Sequence, residues 1–400
     1  MTALNVINNA LSSLNGHIDP NSDSKDATNQ TKNILITGGA GFIGSNTTIH
    51  LVNKYPSYNI IVVDKLNYSA NIKNLSTIAN KPNYKFIHGS ITSKELMRHI
   101  FTEYNINIVI HFAAETHVDL SFNHAFEFTD TNVMGTHILL ECARRSFQKQ
   151  GPLNKSSRFD LFIHISTDEV YGESEMDDTY DKAMKETNRM LPTNPYSASK
   201  AAAEMIVHSY SRSFKLPIIV TRSSNIYGPH QFPEKMIPKF IYLINSGKPV
   251  CIYGDGNNTR VYIHVKDIAN AFDMILHKGK IGEIYNITCE TELNTKQVVN
   301  KMLTCFDNIK ESEYDKYIAF VKDRPFHDSR YYMNGDKMKE LGWKPKISFK
   351  DGLKQTVDWY LQHRDHWKNL GDVLVAHPDV HHESNTVYGG DEIDESKDDK

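Results

Sequence analysis

The chain has 400 residues, 40% of them hydrophobic and 23% charged, with a formal net charge of −3. That length exceeds one small core and predicts one large domain with an annexe, or two domains. The near-neutral charge gives no support for a nucleic-acid or membrane partner, and no apolar run approaches the length of a membrane span.

The cysteines, Cys142, Cys251, Cys289 and Cys305, are too widely spaced for a metal knuckle or a CxxC redox motif, so no metal site is expected. The N-terminus has no basic region followed by an apolar core, and no Arg precedes residue 98. Secretion and a transit peptide are therefore not expected, and the cysteine usage points to a reducing, cytoplasmic setting.

Residues 1–31, rich in Asn, Ser, Asp and Thr, read as a disordered extension. Asn33–Thr37 is a short apolar strand. Gly38-Gly39-Ala40-Gly41-Phe42-Ile43-Gly44 follows and opens a helical pattern to about Asn53. Gly38 permits a tight turn, Gly41 lets backbone approach a pyrophosphate, and Gly44 lets the helix pack against the sheet. The helix N-terminus offers N–H groups and a positive dipole end to phosphates. Alone, such a triplet is equally a glycine-rich turn. The second strand, Asn59–Val63, ends in Asp64, about twenty residues on, where a carboxylate binds adenosine ribose hydroxyls and disfavours a 2′-phosphate. NAD is therefore expected over NADP.

A third strand, Tyr84–Ile87, a helix near Thr92–Glu103 and a fourth strand, Ile106–Phe112, come next. Ala113-Ala114-Glu115-Thr116 leaves that strand with small residues that let a cofactor lie close. A long helix is predicted from about Phe126 to Ser146. The fifth strand, Phe159–Ile165, delivers Ser166-Thr167-Asp168-Glu169 to the strand edge at which doubly wound sheets bind ligands. An acidic pair there is either a solvated loop end or an acid and a base.

After an acidic loop over residues 173–195, Tyr196-Ser197-Ala198-Ser199-Lys200 opens a helix to about Phe214. Tyr and Lys four apart share a helix face, and the ammonium should lower the Tyr196 pKa toward that of a usable base. Tyr-x-x-x-Lys is a frequent chance match; after a dinucleotide fingerprint and two strand-end carboxylates, the catalytic reading is favoured. With a sixth strand, Leu216–Thr221, the alternation predicts an α/β fold: a doubly wound, Rossmann-like parallel sheet over residues 32–225.

Beyond Asn225 the segments shorten. Helical patterns at Met236–Ser246, Asp267–His277 and Thr295–Phe306 alternate with strands near Val250–Tyr253, Arg260–Ile263 and Ile284–Ile287. They predict a smaller, mixed α/β, mainly substrate-binding region over residues 226–370. Lys235, Arg260, Arg324 and Arg330 give it positive charge suited to phosphates, although most arginines are simply solvated. Asp351–Gln362 reads as a last amphipathic helix, and residues 371–400 as an acidic polar tail.

With these residues in view, the sequence resembles the nucleotide-sugar 4,6-dehydratases of the extended short-chain dehydrogenase/reductase superfamily, from about Lys32 to Trp367. The markers are Thr37–Gly44, Asp64-Lys65-Leu66, Ala113–Asp119, Ser166–Gly172, Pro195–Lys200, Ser224–Pro229, Phe232–Pro238 and Asp323-Arg324-Pro325. The adjacent Asp168 and Glu169 set it apart from sugar 4-epimerases and UDP-glucuronate decarboxylases, whose strand ends lack the pair. It departs from bacterial members at Ser90-Ile91, at Leu120 and at Arg260-Val261-Tyr262.

The resemblance implies an NAD-dependent hydro-lyase acting on a nucleotide-linked glucose, with dTDP-glucose favoured and UDP-glucose the alternative. Oxidation at carbon 4, loss of water across carbons 5 and 6, and hydride return to carbon 6 give the 4-keto-6-deoxy sugar. An epimerase or decarboxylase of the same fold, or a cofactor-sensing protein without turnover, ranks below. The implied catalytic set is Tyr196 with Lys200 at the 4-hydroxyl, Thr167 on the oxygen at carbon 4, Glu169 at carbon 5 and Asp168 at the leaving 6-hydroxyl. The implied NAD contacts are Gly38, Gly41, Phe42, Ile43, Gly44, Asp64, Lys65, Ile91, Ala113, Ala114, Thr116, Thr131, Tyr196, Lys200 and Ile226. The implied substrate contacts are Thr116, Thr167, Asn225, Lys235, Met236, Tyr253, Arg260, Asn286, Arg324 and His327, with Arg260 and Arg324 on the diphosphate. A homodimer packed through residues 126–146 and 196–214 is also implied.

Overall fold

The computed structural model describes residues 31–148, 159–323, 328–371 and 373–375. The N-terminal extension, most of the acidic tail, Arg324 and His327 lie outside the described residues.

The first six strands are β1 (Asn33–Thr37), β2 (Asn59–Asp64), β3 (Tyr84–His88), β4 (Ile108–His111), β5 (Leu161–Thr167) and β6 (Ile218–Ser223). They pair in parallel in the order β3-β2-β1-β4-β5-β6. Their sequences are near-continuous apolar runs because helices cover both faces of the sheet. Alternate residues of each strand serve opposite faces. Ile34, Ile36, Ile108, Ile110 and Ile163 pack with Leu51 and Val52 of α1 (Phe42–Lys54). Leu35, Ile61, Val109 and Phe162 face Ile100 of α2 (Lys94–Glu103), Leu139 and Leu140 of α3 (Thr136–Gln148), and Val207 of α4 (Pro195–Phe214).

The chain then makes β7 (Asn225–Tyr227), α5 (Met236–Asn245), β8 (Val250–Tyr253), β9 (Thr259–His264) and α6 (Val265–Lys278). The next strand, β10 (Ile284–Ile287), does not stay in the smaller region in which the sequence pattern places it. It pairs in parallel with β6 as the seventh strand of the central sheet. Helix α6 likewise returns Phe272 and Ile275 to the core beside α1. The smaller region keeps β11 (Glu292–Asn294), α7 (Thr295–Leu303), β12 (Ile318–Val321) and α8 (Phe349–Gln362). Its two small sheets run β11-β9-β7 and β12-β8, and its core joins Ile241, Val298, Met302, Leu353 and Val357. Among the described residues, no helix is long and apolar enough to cross a membrane.

The long helix expected over Phe126–Ser146 is broken. Two short helices, Val118–Asn123 and Ala125–Phe128, lead into a π-helical turn over Thr129–Gly135 before α3 begins. Within that turn the Asn132 side chain accepts from the Glu115 N–H at 2.8 Å and donates to the Glu115 carbonyl at 3.0 Å and Ser199 Oγ at 2.8 Å. The wider turn thus ties the segment after β4 to α4, in keeping with the concentration of such turns at functional sites.

Candidate active site

β1 and β4 are neighbours, yet the chain between them builds β2 and β3 on the far side of β1. Connections leave in opposite directions there, so a cleft opens at the C-terminal strand ends. Gly38 ends β1 with φ of 69°, a conformation that suits glycine. A Cβ there would lie 2.6 Å from the Ala113 nitrogen, and one at Gly44 would lie 2.2 Å from the Gly38 carbonyl oxygen. The turn therefore fits against both β4 and α1 only without side chains. Gly41 is the N-cap of α1, with no side-chain cap bond and no acidic residue in the first turn. The helix consequently presents uncapped N–H groups and its positive dipole end to the cleft. Asp64, at the end of β2, accepts from the Ala40 N–H at 3.0 Å and the Leu66 N–H at 2.8 Å, which brace the glycine turn. Burial raises its pKa, opposed by those backbone donors.

At the end of β5, Thr167 caps a 3₁₀ turn, Asp168–Tyr171. Its Oγ1 accepts from the Glu169 N–H at 3.3 Å and donates to Asp168 Oδ1 at 3.2 Å. Asp168 is buried and Glu169 half-buried. Burial, then the neighbouring Glu169 charge, push the Asp168 carboxyl up to about 7 against the pull of Arg260. Burial also raises Glu169, opposed by the Asn194 amide and the charges of Lys235 and Arg260.

The other half of the site comes from α4, which begins with Pro195 behind the N-cap Asn194, an arrangement that presets the first turn. Tyr196 is buried, and its phenol is raised by that burial and by the charges of Glu169 and Asp168, while a hydrogen bond with Thr167 pulls the other way. This corrects the expectation that Lys200 brings Tyr196 down. Lys200 Nζ donates to the Ile165 carbonyl at 2.7 Å, and burial pulls its own pKa to about 8. Glu204 of α4 and Arg222 of β6 form a buried ion pair at 2.7 Å, and the Arg222 guanidinium covers the Tyr171 ring at 4.5 Å. A hydroxyl, two carboxyls, a phenol and an ammonium thus meet at one end of a glycine-turned groove.

The family model for GDP-mannose 4,6 dehydratase matches residues 35–356. The chain belongs to this family. It is 47% identical over 353 residues to a trifunctional UDP-glucose 4,6-dehydratase/UDP-4-keto-6-deoxy-D-glucose 3,5-epimerase/UDP-4-keto-L-rhamnose-reductase of Arabidopsis thaliana, covering 88% of this chain and 50% of that protein. The chain therefore spans about half the length of that relative. It is 46% identical over 348 residues to the dTDP-D-glucose 4,6-dehydratase of Homo sapiens, covering 87% of this chain and 95% of that one. The crystal structure of DesIV, a dTDP-glucose 4,6-dehydratase of Streptomyces venezuelae with NAD bound, superposes with a TM-score of 0.76 at 36% identity. It covers 84% of this chain and 99% of that one.

In this 4,6 dehydratase family member, the cleft is lined by all fifteen residues expected to contact NAD, from Gly38 through Asp64, Ile91 and Thr131 to Ile226, and by Thr167, Asp168 and Glu169. Of the expected substrate contacts, Thr116, Thr167, Asn225 and Lys235 line it, and Lys235 Nζ donates to the Thr116 carbonyl at 2.9 Å. Met236, Tyr253, Arg260 and Asn286 are not among the lining residues. Asn286 is fully buried: it accepts from the Tyr171 hydroxyl and donates to the carbonyls of Met184 and Asn334. Arg260 donates to the carbonyls of Thr259, Ser329 and Asp328 and stacks on Tyr331, so it acts on Asp168 and Glu169 through its charge. Among the described residues, no cluster of three or more His, Cys, Asp or Glu side chains is placed to hold a metal.

Asn194 is a site residue that the motifs pass over. It donates to Glu169 Oε2 at 3.3 Å. The available signal was an Asn directly before a Pro at the start of a helix, which marks an N-cap. Ser223, Ser224, Gln231, Phe232 and Glu234 also line the cleft.

Proposed function

We propose that this chain is an NAD-dependent nucleotide-sugar 4,6-dehydratase acting on dTDP-glucose, with a 4-keto-6-deoxy sugar and water as products. The observation that carries this reading is the adjacent Asp168 and Glu169 in one cleft with Tyr196, Lys200 and the glycine turn. The relatives named above, one of which this chain matches nearly end to end, support the same reaction class.

The residues fit a dinucleotide. The uncapped N-terminus of α1 suits a pyrophosphate, the space at Gly38, Gly41 and Gly44 suits its close approach, and Asp64 suits ribose hydroxyls. Bound there, NAD would supply a reversible two-electron acceptor for hydride between carbon 4 and carbon 6.

Tyr196, hydrogen-bonded with Thr167, would take the proton of the 4-hydroxyl as its phenolate, after its own proton has gone to solvent. A protonated Asp168 removes part of the negative charge that otherwise holds the phenol high. Once carbon 4 is a ketone, the proton on carbon 5 is acidic, and Glu169, favoured in its ionised form by Asn194, Lys235 and Arg260, removes it and gives it back to carbon 5 as hydride returns to carbon 6. Asp168, pushed up to about 7, keeps a proton for the departing 6-hydroxyl. Unequal environments thus divide two carboxyls into base and acid.

Incubation with dTDP-glucose and UDP-glucose in competition, with product analysis, tests the reading. A 4-keto-6-deoxy product mainly from dTDP-glucose is expected. Turnover of UDP-glucose alone reassigns the donor, and an epimerised sugar without water loss overturns the reaction. Gly44→Ala tests the cofactor site separately. The methyl group has to displace backbone at Gly38, a strain of about 1–3 kcal/mol. Retained NAD, measured after denaturing the purified protein, should weaken in affinity by roughly tenfold to a hundredfold.

We also infer a homodimer. Phe126, Met134, Met205 and Phe214 are exposed on the segments expected to pack against a second copy, Phe126 at 87%. Light scattering should give a mass near twice 45.7 kDa.

A further inference from the structure

The Glu169 carboxylate and the Tyr196 phenol reach the cleft from different elements, a short 3₁₀ turn after β5 and the first turn of α4. Neither element alone fixes their separation. Besides Thr167, which bonds the Glu169 N–H and Tyr196, one further side chain joins them. Asn194 Oδ1 accepts from the Ser197 N–H at 2.8 Å, and the Asn194 N–H donates to Ser197 Oγ at 3.2 Å, which closes a reciprocal cap on α4. The same amide donates from Nδ2 to Glu169 Oε2 at 3.3 Å. Asn194 is 7% exposed, so little water competes for either bond.

The preceding residue anchors this segment on its other side. Thr193 Oγ1 donates to Asp328 Oδ2 at 3.1 Å, and the Tyr331 hydroxyl donates to the same oxygen. The Asp328 carbonyl accepts from Arg260 Nη2 at 2.8 Å. The segment holding Asn194 is therefore fastened to the wall that carries Arg260, and the amide projects from a fixed base.

We propose that Asn194 is a positioning residue for the elimination step: one amide both starts the Tyr196–Lys200 helix and holds the Glu169 carboxylate in place to receive the carbon 5 proton. The proposal rests on the dehydratase reading above. The choice of side chain follows from its chemistry. An amide has an acceptor and a donor on one carbon, an aspartate has only acceptors, and a serine has a hydroxyl on a shorter stem. All three cap helices well. Only asparagine both caps and donates to a carboxylate at that distance.

The groups facing Glu169 are Asp168 in its own turn, Lys235 before α5, Arg260 on β9, Asp328, and the phenols of Tyr196 and Tyr331. Against this background the amide donor favours the ionised carboxylate. Removing it makes Glu169 harder to ionise, and a carboxylate in its place makes it harder still. The limb on which activity rises with pH therefore moves to higher pH, further for Asn194→Asp than for Asn194→Ser.

The test uses wild type and both variants of the full chain, with dTDP-glucose varied up to saturation. It reads kcat and KM against pH, exchange of the carbon 5 proton with deuterated solvent, and melting temperature. The expected result is near-native melting, a fall in kcat of roughly tenfold to a hundredfold with KM little changed, slower exchange, and an ascending limb displaced in the order Asn, Ser, Asp. Limbs that coincide with wild type in both variants overturn the proposal. Limb position does not depend on the amount of folded enzyme, so it decides the matter even where a variant melts early. A wild-type protein that releases no water from either nucleotide sugar overturns the dehydratase reading itself, before any variant is compared.

Discussion

Glu169→Gln is expected to slow water loss from dTDP-glucose by roughly 10²–10⁴-fold, the usual loss when a positioned acid or base is removed. Glutamine keeps the length and can still bond Asn194, so the fold and cleft should survive. What disappears is the acceptor for the carbon 5 proton, and exchange of that proton with deuterated solvent should stop. Asp168→Asn should lower turnover by a similar factor with a different signature. The base remains, so exchange at carbon 5 should continue while the 6-hydroxyl fails to leave. The pH dependence separates the two roles further. The acid must be protonated to act, and burial beside Glu169 pushes Asp168 up to about 7. Activity should therefore fall as pH rises through about 7, and Asp168→Asn should abolish that descending limb. The base must be ionised to act, and burial raises Glu169, so the ascending limb should lie above the ordinary carboxylate range. The two carboxyls interact, so these limbs belong to the pair as much as to either residue. Variants that both dehydrate at the wild-type rate would falsify the assignment.

The sheet and much of the site were legible in the sequence for physical reasons. A strand buried on both faces is an unbroken apolar run, so β1, β2 and β5 announce themselves. The glycines at 38 and 44 are demanded by positions where a Cβ collides with backbone, a local requirement that leaves a local mark. What escaped depends on distant partners. β10 is four residues, Ile284–Ile287, that would suit any sheet, and only pairing with β6 assigns it to the central one. The π-helical turn at Thr129–Gly135 follows from Asn132 reaching Glu115 and Ser199, which no helical periodicity encodes. Spacing placed Lys200 and Tyr196 on one helix face; it could not place the Ile165 carbonyl that takes the Lys200 proton donor, nor the carboxylates that hold the phenol high. Arg260 and Asn286 were expected at the substrate from the family resemblance, and their hydrogen bonds go to carbonyls and to Tyr171.

Asp273→Ala should destabilise the protein by about 3 kcal/mol, the low end of the range for breaking a buried charged pair. Asp273, on α6, is 4% exposed and gathers groups from α1 and the segment after it. Its carboxylate accepts from His50 at 2.7 Å, Lys54 at 2.6 Å and Tyr55 at 2.8 Å, and His277 Nδ1, bonded to the Asp273 carbonyl at 2.8 Å, lies 3.0 Å from it. The Tyr58 hydroxyl bonds the other nitrogen of His277 at 2.9 Å. Removing the carboxylate strands these donors, but Lys54 and His50 are exposed enough to turn to water, which favours the low end. The apolar packing of Leu51 and Val52 with Phe272 and Ile275 remains, so the variant should still fold. Burial alone would raise the Asp273 carboxyl, yet the bonds from His277, His50, Lys54 and Tyr55 hold it far below its ordinary value. A carboxyl depressed in the folded state stabilises the protein above its unfolded pKa, about 3.9, and loses that contribution as pH falls. Urea unfolding of both proteins should therefore show the full difference at pH 6 and a progressively smaller one as pH falls below about 4. A difference that stays constant across that range, or one below about 1 kcal/mol at pH 6, would mean that the apolar seam between α1 and α6, and not the Asp273 cluster, fastens the two helices.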